Sequence, residues 1–72
     1  MNPAIQLLDV VALTTDLREH GLCRGQVGTV VELLAEDVYE VEFSDDDGRT
    51  YAMLPLRANQ LMVLHYRPSM VA

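Results

Sequence analysis

Lysine and tryptophan are missing from this 72-residue chain, and cysteine occurs once, at Cys23. A single cysteine cannot form an internal disulfide, so nothing in the sequence points to an oxidising compartment. All five basic residues are arginines, and eleven acidic residues bring the formal net charge to -6. That sign is wrong for holding phosphates and therefore disfavours nucleic acid as a partner.

Long apolar runs are also missing, so we expect no segment that crosses a membrane. The first residues lack the basic start and apolar core of a secretory signal, and we expect a cytoplasmic protein. Half of the residues are nevertheless hydrophobic, which is too many for a disordered chain. The length predicts one small domain over residues 1-72, with its core at about 8-64 and a tail at 65-72.

Five short apolar segments separated by turn residues predict an all-β fold. The clearest is the segment in which Tyr39, Val41 and Phe43 alternate with glutamates. An Asp-Gly hairpin signal follows it, and Pro55 is expected to end the fourth strand. The predicted strands are 9-14, 26-34, 38-43, 49-54 and 60-64.

The pattern predicts a five-stranded SH3-like barrel. It has one long loop after the first strand and a short helical turn at 56-59, before the last strand. The alternative is an open β-meander that closes its edge by pairing with a second copy. Alternation alone does not say which apolar face is the core. It also leaves open whether residues 5-8 join the sheet.

Several segments together resemble a family of small bacterial proteins that is known only as a domain of unknown function. The resemblance covers about 8-64 and implies an SH3-like barrel, with no established activity or ligand to carry across. Some members are encoded beside other small proteins in the manner of antitoxins, while Cys23 departs from the polar residue that the pattern implies. The matching segments are Asp9-Val10-Val11-Ala12-Leu13, Glu19-His20-Gly21-Leu22, Arg24-Gly25-Gln26-Val27-Gly28-Thr29-Val30-Val31, Tyr39-Glu40-Val41-Glu42-Phe43 and Asp47-Gly48-Arg49-Thr50.

Candidate chemistry is sparse. His20 and Cys23 could share a metal only if further ligands converged, or form a nucleophile pair only with an aligned base. We expect no catalytic residue, metal or cofactor, and a metal-assisted or thiol enzyme is the third hypothesis. The aspartates before Gly48 lack the remaining ligands and helices of a calcium loop, so we interpret them as a charged hairpin tip.

The glycines at the start of the second strand resemble those of SH3-like modules that touch RNA. We expect structural roles instead, with a positive φ at Gly25 and a bulge or close backbone approach at Gly28. An RNA- or ribosome-associated barrel is the alternative function, although basic residues and stacking aromatics are few. The same shortage of aromatics argues against a groove for proline-rich peptides.

The second and fifth predicted strands are apolar on both faces, whereas a barrel has one interior. Exposed apolar patches mark interfaces, and self-association would supplement a marginal core. We therefore predict a homodimer that also holds a protein partner, with contacts at Val30, Leu34, Met62 and Leu64. Coverage by residues 4-8 and the tail is the alternative.

An acidic outer face would speed the approach of a basic partner. The expected function is a non-enzymatic protein-interaction module, antitoxin-like or accessory to a basic protein. The residues of the predicted steering face are Glu32, Glu40, Glu42, Asp45, Asp46 and Asp47.

Overall fold

The computed structural model describes residues 5-68 and confirms the all-β prediction. Two short 3-10 turns, Arg18–His20 and Ala58–Gln60, accompany the strands over that range. The second turn stands before the last strand, as predicted. The strands are β1 (Val10–Leu13), β2 (Val27–Ala35), β3 (Val38–Ser44), β4 (Thr50–Arg57) and β5 (Leu61–Val63).

All strands belong to one antiparallel sheet in the order β4-β3-β2-β1-β5. The long strand β2 pairs with β1 up to Thr29 and with β3 from Thr29 onward. It is therefore shared by both halves of a curled, SH3-like sheet. Within residues 5-68, β4 and β5 are the two edges of the sheet and do not pair with each other, so the barrel is open between them.

The core lies on one face of this sheet, called here the inner face. Tyr39, Val41 and Phe43 all point into it, which settles the direction of the alternation predicted for β3. Fully burying a side chain of this size stabilises a fold by about 1.5–3 kcal/mol. The buried cluster consists of Val11, Leu13, Leu17, Leu22, Val30, Tyr39, Val41, Phe43, Leu54, Leu56 and Leu61.

Gly28 also lies on the inner face, beneath β3. A Cβ atom added there would lie 2.7 Å from Val41 Cγ1 and 3.0 Å from Phe43 Cδ2. The close approach expected at this glycine is therefore present. Gly25 has φ +93°, which confirms the positive φ expected at the turn into β2.

The long loop between β1 and β2 contributes to the core. Leu17 and Leu22 form an isolated bridge across it, and both side chains are buried. Gly21, with φ 69°, ends the first 3-10 turn in the left-handed conformation and lets the chain return. The sequence alone predicted only a long loop here.

The segment before β1 is attached to the sheet by backbone hydrogen bonds, but residues 5-8 are not part of a strand. Leu8 N–H donates to the Val30 carbonyl at 2.7 Å, and Val30 N–H donates to the Asp9 carbonyl at 2.9 Å. Ile5 packs against the buried cluster. At the other end residues 65-68 are exposed, and the rest of the predicted tail, 69-72, lies outside the described residues, as do residues 1-4.

The prediction that Pro55 ends the fourth strand is wrong, because β4 continues through it to Arg57. β4 is an edge strand, where a missing N–H is tolerated if it faces away from the neighbouring strand. Ala58 N–H donates to the Asp37 carbonyl across the β3–β4 ladder. With the register Glu40↔Pro55, this turns the Pro55 nitrogen toward the free edge.

Candidate functional site

A bulge in β2 decides which of its side chains reach the surface. Val30 lies opposite Val41, and Glu32 lies opposite Glu40, so Val31 is an extra residue on β2. Such an insertion breaks the two-residue alternation. Val30 and Glu32, which strict alternation would place on one face, are therefore on opposite faces.

Val30 is fully buried in the core of its own chain. It offers no surface to a partner, and this corrects its assignment to the predicted interface. Strict alternation groups Val30 with Leu34, but the bulge between them means that the two residues need not share a face.

Leu34 and Met62 are both about half exposed, at 45% and 54%, but they lie far apart. Met62 is opposite Ala12 in β1, whose pairing with β2 stops at Thr29. Leu34 is five residues beyond Thr29 along β2. At strand geometry this places it about 16 Å from the end of the β1–β2 pairing. The predicted contacts at Leu34, Met62 and Leu64 therefore do not form one patch.

Met62 and Leu64 instead join a group of side chains from β1 and β2. Val27 and Met62 flank Ala12 from the two neighbouring strands, and Leu64 N–H donates to the Val10 carbonyl at 2.9 Å. Val27 is 48% exposed, whereas Ala12 between its larger neighbours is only 5% exposed. We call these residues the outer apolar patch: Val10, Ala12, Val27, Met62 and Leu64.

Sequence reasoning missed Val10, Ala12 and Val27 as members of this patch. Alternation assigns residues of one strand to a common face but does not say which strands are neighbours. The available signal was that both faces of several strands are apolar, which requires some of these side chains to lie outside. The pairing of β1 with β5 then determines which ones meet.

Glu32, Glu40 and Glu42 are brought together on the outer face, and we call them the acidic strip. Glu32 and Glu40 are directly opposite on neighbouring strands, and Glu42 is opposite Thr29. Directly opposite residues in a sheet have Cβ atoms about 4.5–5.5 Å apart. Glu42 Oε2 accepts a hydrogen bond from Thr50 Oγ1 at 2.9 Å, which fixes one end of the strip.

The aspartates of the predicted steering face occupy the β3–β4 hairpin tip and have different roles. Asp45 Oδ1 accepts the N–H groups of Asp47 and Arg49, both at 2.9 Å. This carboxylate therefore shapes the turn, while Gly48 supplies a φ of +80°. Asp46 is exposed.

The acidic strip and the outer apolar patch are continuous across the sheet. Val10 lies opposite Thr29, Thr29 opposite Glu42, and Glu42 opposite Met53. Arg57 has its place on the same face, opposite Val38. Across the outer face, the outer apolar patch is therefore followed by the acidic strip and then by Met53, which is 50% exposed.

His20 and Cys23 do not extend into a larger constellation. His20 ends the first 3-10 turn, and the Cys23 thiol is exposed in the following loop. Among residues 5-68 there is no group of three or more histidine, cysteine, aspartate or glutamate side chains that could hold a metal ion. Nor does that part of the chain contain a helix long and apolar enough to cross a membrane.

The strand order and the shared strand β2 define a small, all-β domain of SH3-like topology. The chain belongs to the family described as domain of unknown function DUF4926, whose model matches residues 7-63. This supports the resemblance to a small domain-of-unknown-function family found in the sequence. No curated protein and no solved structure matches the chain.

Proposed function

We propose that this domain is a non-enzymatic protein-interaction module whose acidic strip binds a basic protein partner. The observation that carries the proposal is the direct opposition of Glu32 and Glu40 across β2 and β3. Like charges in that position destabilise a sheet. A pair that opposes folding favours a role in binding, because a partner's cationic side chains would offset the repulsion.

The overall charge supports the same partner chemistry. The chain carries a formal charge of -6, and its strip faces away from the core. Complementary fields raise association rates toward about 10⁸–10⁹ M⁻¹s⁻¹ at low salt, from about 10⁵–10⁶ M⁻¹s⁻¹ without them. The strip is therefore suited to fast capture of a basic surface.

The physiological form of this proposal is an antitoxin-like or accessory protein. An acidic protein surface can occupy a basic surface that would otherwise bind nucleic acid. Carboxylates and phosphates both pair with the same cationic side chains. The partner would then be a protein that binds a polyanion. A cytoplasmic location stays a prediction from the sequence. Homodimer formation also stays one, and a dimer through Met62 is the alternative that is tested below.

The experiment is capture from the native lysate by the tagged protein, with each retained protein identified by mass spectrometry. Two double variants remove equal charge: Glu32→Gln with Glu40→Gln in the strip, and Glu36→Gln with Asp46→Asn outside it. We expect a basic protein that is retained by the parent and the second variant and lost from the first. Recovery of only acidic proteins, or equal retention by both variants, would contradict the proposal.

A further inference from the structure

We infer that the acidic strip and the outer apolar patch form one binding surface, and that its occupant is a basic protein segment with an apolar face. The inference rests on the proposed function and specifies the partner's chemistry. A second copy of this chain is the competing occupant.

Continuity between the two regions is the first observation. Val10 in the patch and Glu42 in the strip are both direct neighbours of Thr29. Adjacent strands are about 4.8 Å apart, so the backbones of Val10 and Glu42 are separated by about 10 Å. A single extended segment or helix face can cover both.

The size of the patch is the second observation. Its two most prominent side chains, Val27 and Met62, are only about half exposed, at 48% and 54%, and Ala12 between them is almost covered. A standard interface buries about 800 Å² on each partner. Any stable occupant therefore extends beyond the patch. On one side the sheet ends at β5, and on the other it continues across Thr29 to the strip.

The negative charge of the acidic strip favours a basic segment over a second copy of this chain as the occupant. A segment that crosses Thr29 meets Glu42 and afterwards Glu40 and Glu32. Cationic side chains would be stabilised there, whereas a second copy, itself at -6, would bring further negative charge. Met53, on the far side of Glu42, provides another apolar contact. The partner segment that fits this surface therefore carries arginine or lysine residues between apolar residues.

The probes are three synthetic peptides of equal length: leucine with lysine on opposite helix faces, serine with lysine at the same charge, and leucine with glutamine at zero charge. Binding is followed by backbone amide shifts of the ¹⁵N-labelled protein. We expect the leucine–lysine peptide to shift Ala12 and Val27 together with Glu40 and Glu42. Its Kd should be about tenfold lower than that of either other peptide.

The outcomes separate this inference from the proposed function. If both lysine peptides shift only the strip, with equal Kd, the single-surface inference is wrong and the proposed function stands. If neither lysine peptide shifts the strip, both are contradicted. If sedimentation shows a dimer that Met62→Asp dissociates, the occupant is a second copy and the inference is overturned.

Leu34→Asp is the matched control for Met62→Asp, since the two side chains are similarly exposed but Leu34 lies outside the patch. We expect only the patch substitution to weaken the leucine–lysine peptide, by about tenfold. Circular dichroism establishes that each variant is folded. Should Met62→Asp unfold the protein, Met62→Gln tests the same contact without a new charge. Equal loss in the patch variant and Leu34→Asp would overturn the inference.

Discussion

Glu32 and Glu40 lie directly opposite each other because β2 contains one residue more than β3 at Val31. Without that bulge, strict alternation would place Glu32 on the same inner face as Val30. The bulge therefore creates the like-charge pair and builds the acidic strip. Val30 precedes the bulge and lies on the inner face opposite Val41, so the bulge separates Glu32 from Val30 and leaves Val30 in the core.

Replacing Glu32 by glutamine should stabilise the fold. The substitution removes repulsion from Glu40 while keeping a side chain of similar size, and we expect a gain of about 0.5 kcal/mol. Urea unfolding measures it, with Glu36→Gln as a control that removes the same charge from the β2–β3 turn. A loss of stability in Glu32→Gln, or an equal gain in the control, would show that the pair is not strained.

Gly28→Ala should destabilise the domain by about 1–3 kcal/mol, because overpacking forces neighbouring atoms to move. The new Cβ would lie 2.7 Å from Val41 Cγ1 and 2.9 Å from the Glu42 carbonyl oxygen. Thermal or urea unfolding measures the change. Thr29→Ala, the adjacent position on the outer face, should have a smaller effect.

The contact with Val41 can be isolated by a double-mutant cycle. We expect Gly28→Ala and Val41→Ala together to cost less stability than the sum of the single substitutions, because the shorter side chain relieves part of the clash. Full additivity, or a Gly28→Ala effect no larger than that of Thr29→Ala, would contradict the close approach.

The two neighbouring aspartates Asp45 and Asp46 should differ in their effect on stability. Asp45→Ala removes an acceptor for two backbone N–H groups, those of Asp47 and Arg49, and should cost about 1 kcal/mol. Asp46→Ala removes the same charge at the same hairpin tip and should leave stability nearly unchanged. Chemical denaturation compares them, and equal effects would mean that charge rather than the turn geometry matters there.

Two positions on the free edge of β4 offer no hydrogen-bond donor to another strand. Pro55 has no N–H, and the Arg57 N–H donates to Gln60 Oε1 at 2.9 Å. Unpaired strand edges recruit other strands, and proline is one of the features that block this. We expect Pro55→Val combined with Gln60→Ala to increase self-association, measured by sedimentation velocity.

Met53→Val is the control for the edge, since it changes a side chain on β4 and adds no donor. It should remain at the parent's oligomeric state. If the double variant is folded and also keeps the parent's oligomeric state, the missing donors are not what prevents the edge of β4 from pairing with another chain.

The sequence is sufficient to predict that there are five strands, although not where β4 ends, because each strand carries its own alternation or turn signal. Val38–Ser44 is the best example, with its inward aromatic and aliphatic residues and outward glutamates. The hairpin at Gly48 and the positive φ at Gly25 are local features and were predictable for the same reason. The close approach at Gly28 was one of two alternatives, because it depends on the packing of β3. Glu40 and Glu42 could be placed together because they belong to one regular strand.

The outer apolar patch was only partly predictable, because its members come from three strands. Ala12 meets Val27 and Met62 through long-range pairing that no local pattern specifies. Val30 was grouped with residues beyond the bulge, because an extra residue leaves no sequence signature in two consecutive valines. The continuation of β4 through Pro55 likewise depends on which strand lies at the edge.

The most direct test of electrostatic capture is the association rate constant of the basic partner as a function of ionic strength. The parent is compared with Glu40→Arg combined with Glu42→Arg, and with Asp46→Arg combined with Asp47→Arg at the hairpin tip. We predict a steep fall with salt for the parent and, at low salt, a rate about tenfold or more slower for the strip variant than for the tip variant. A rate that is independent of salt, or equally slow in both variants, would contradict the account.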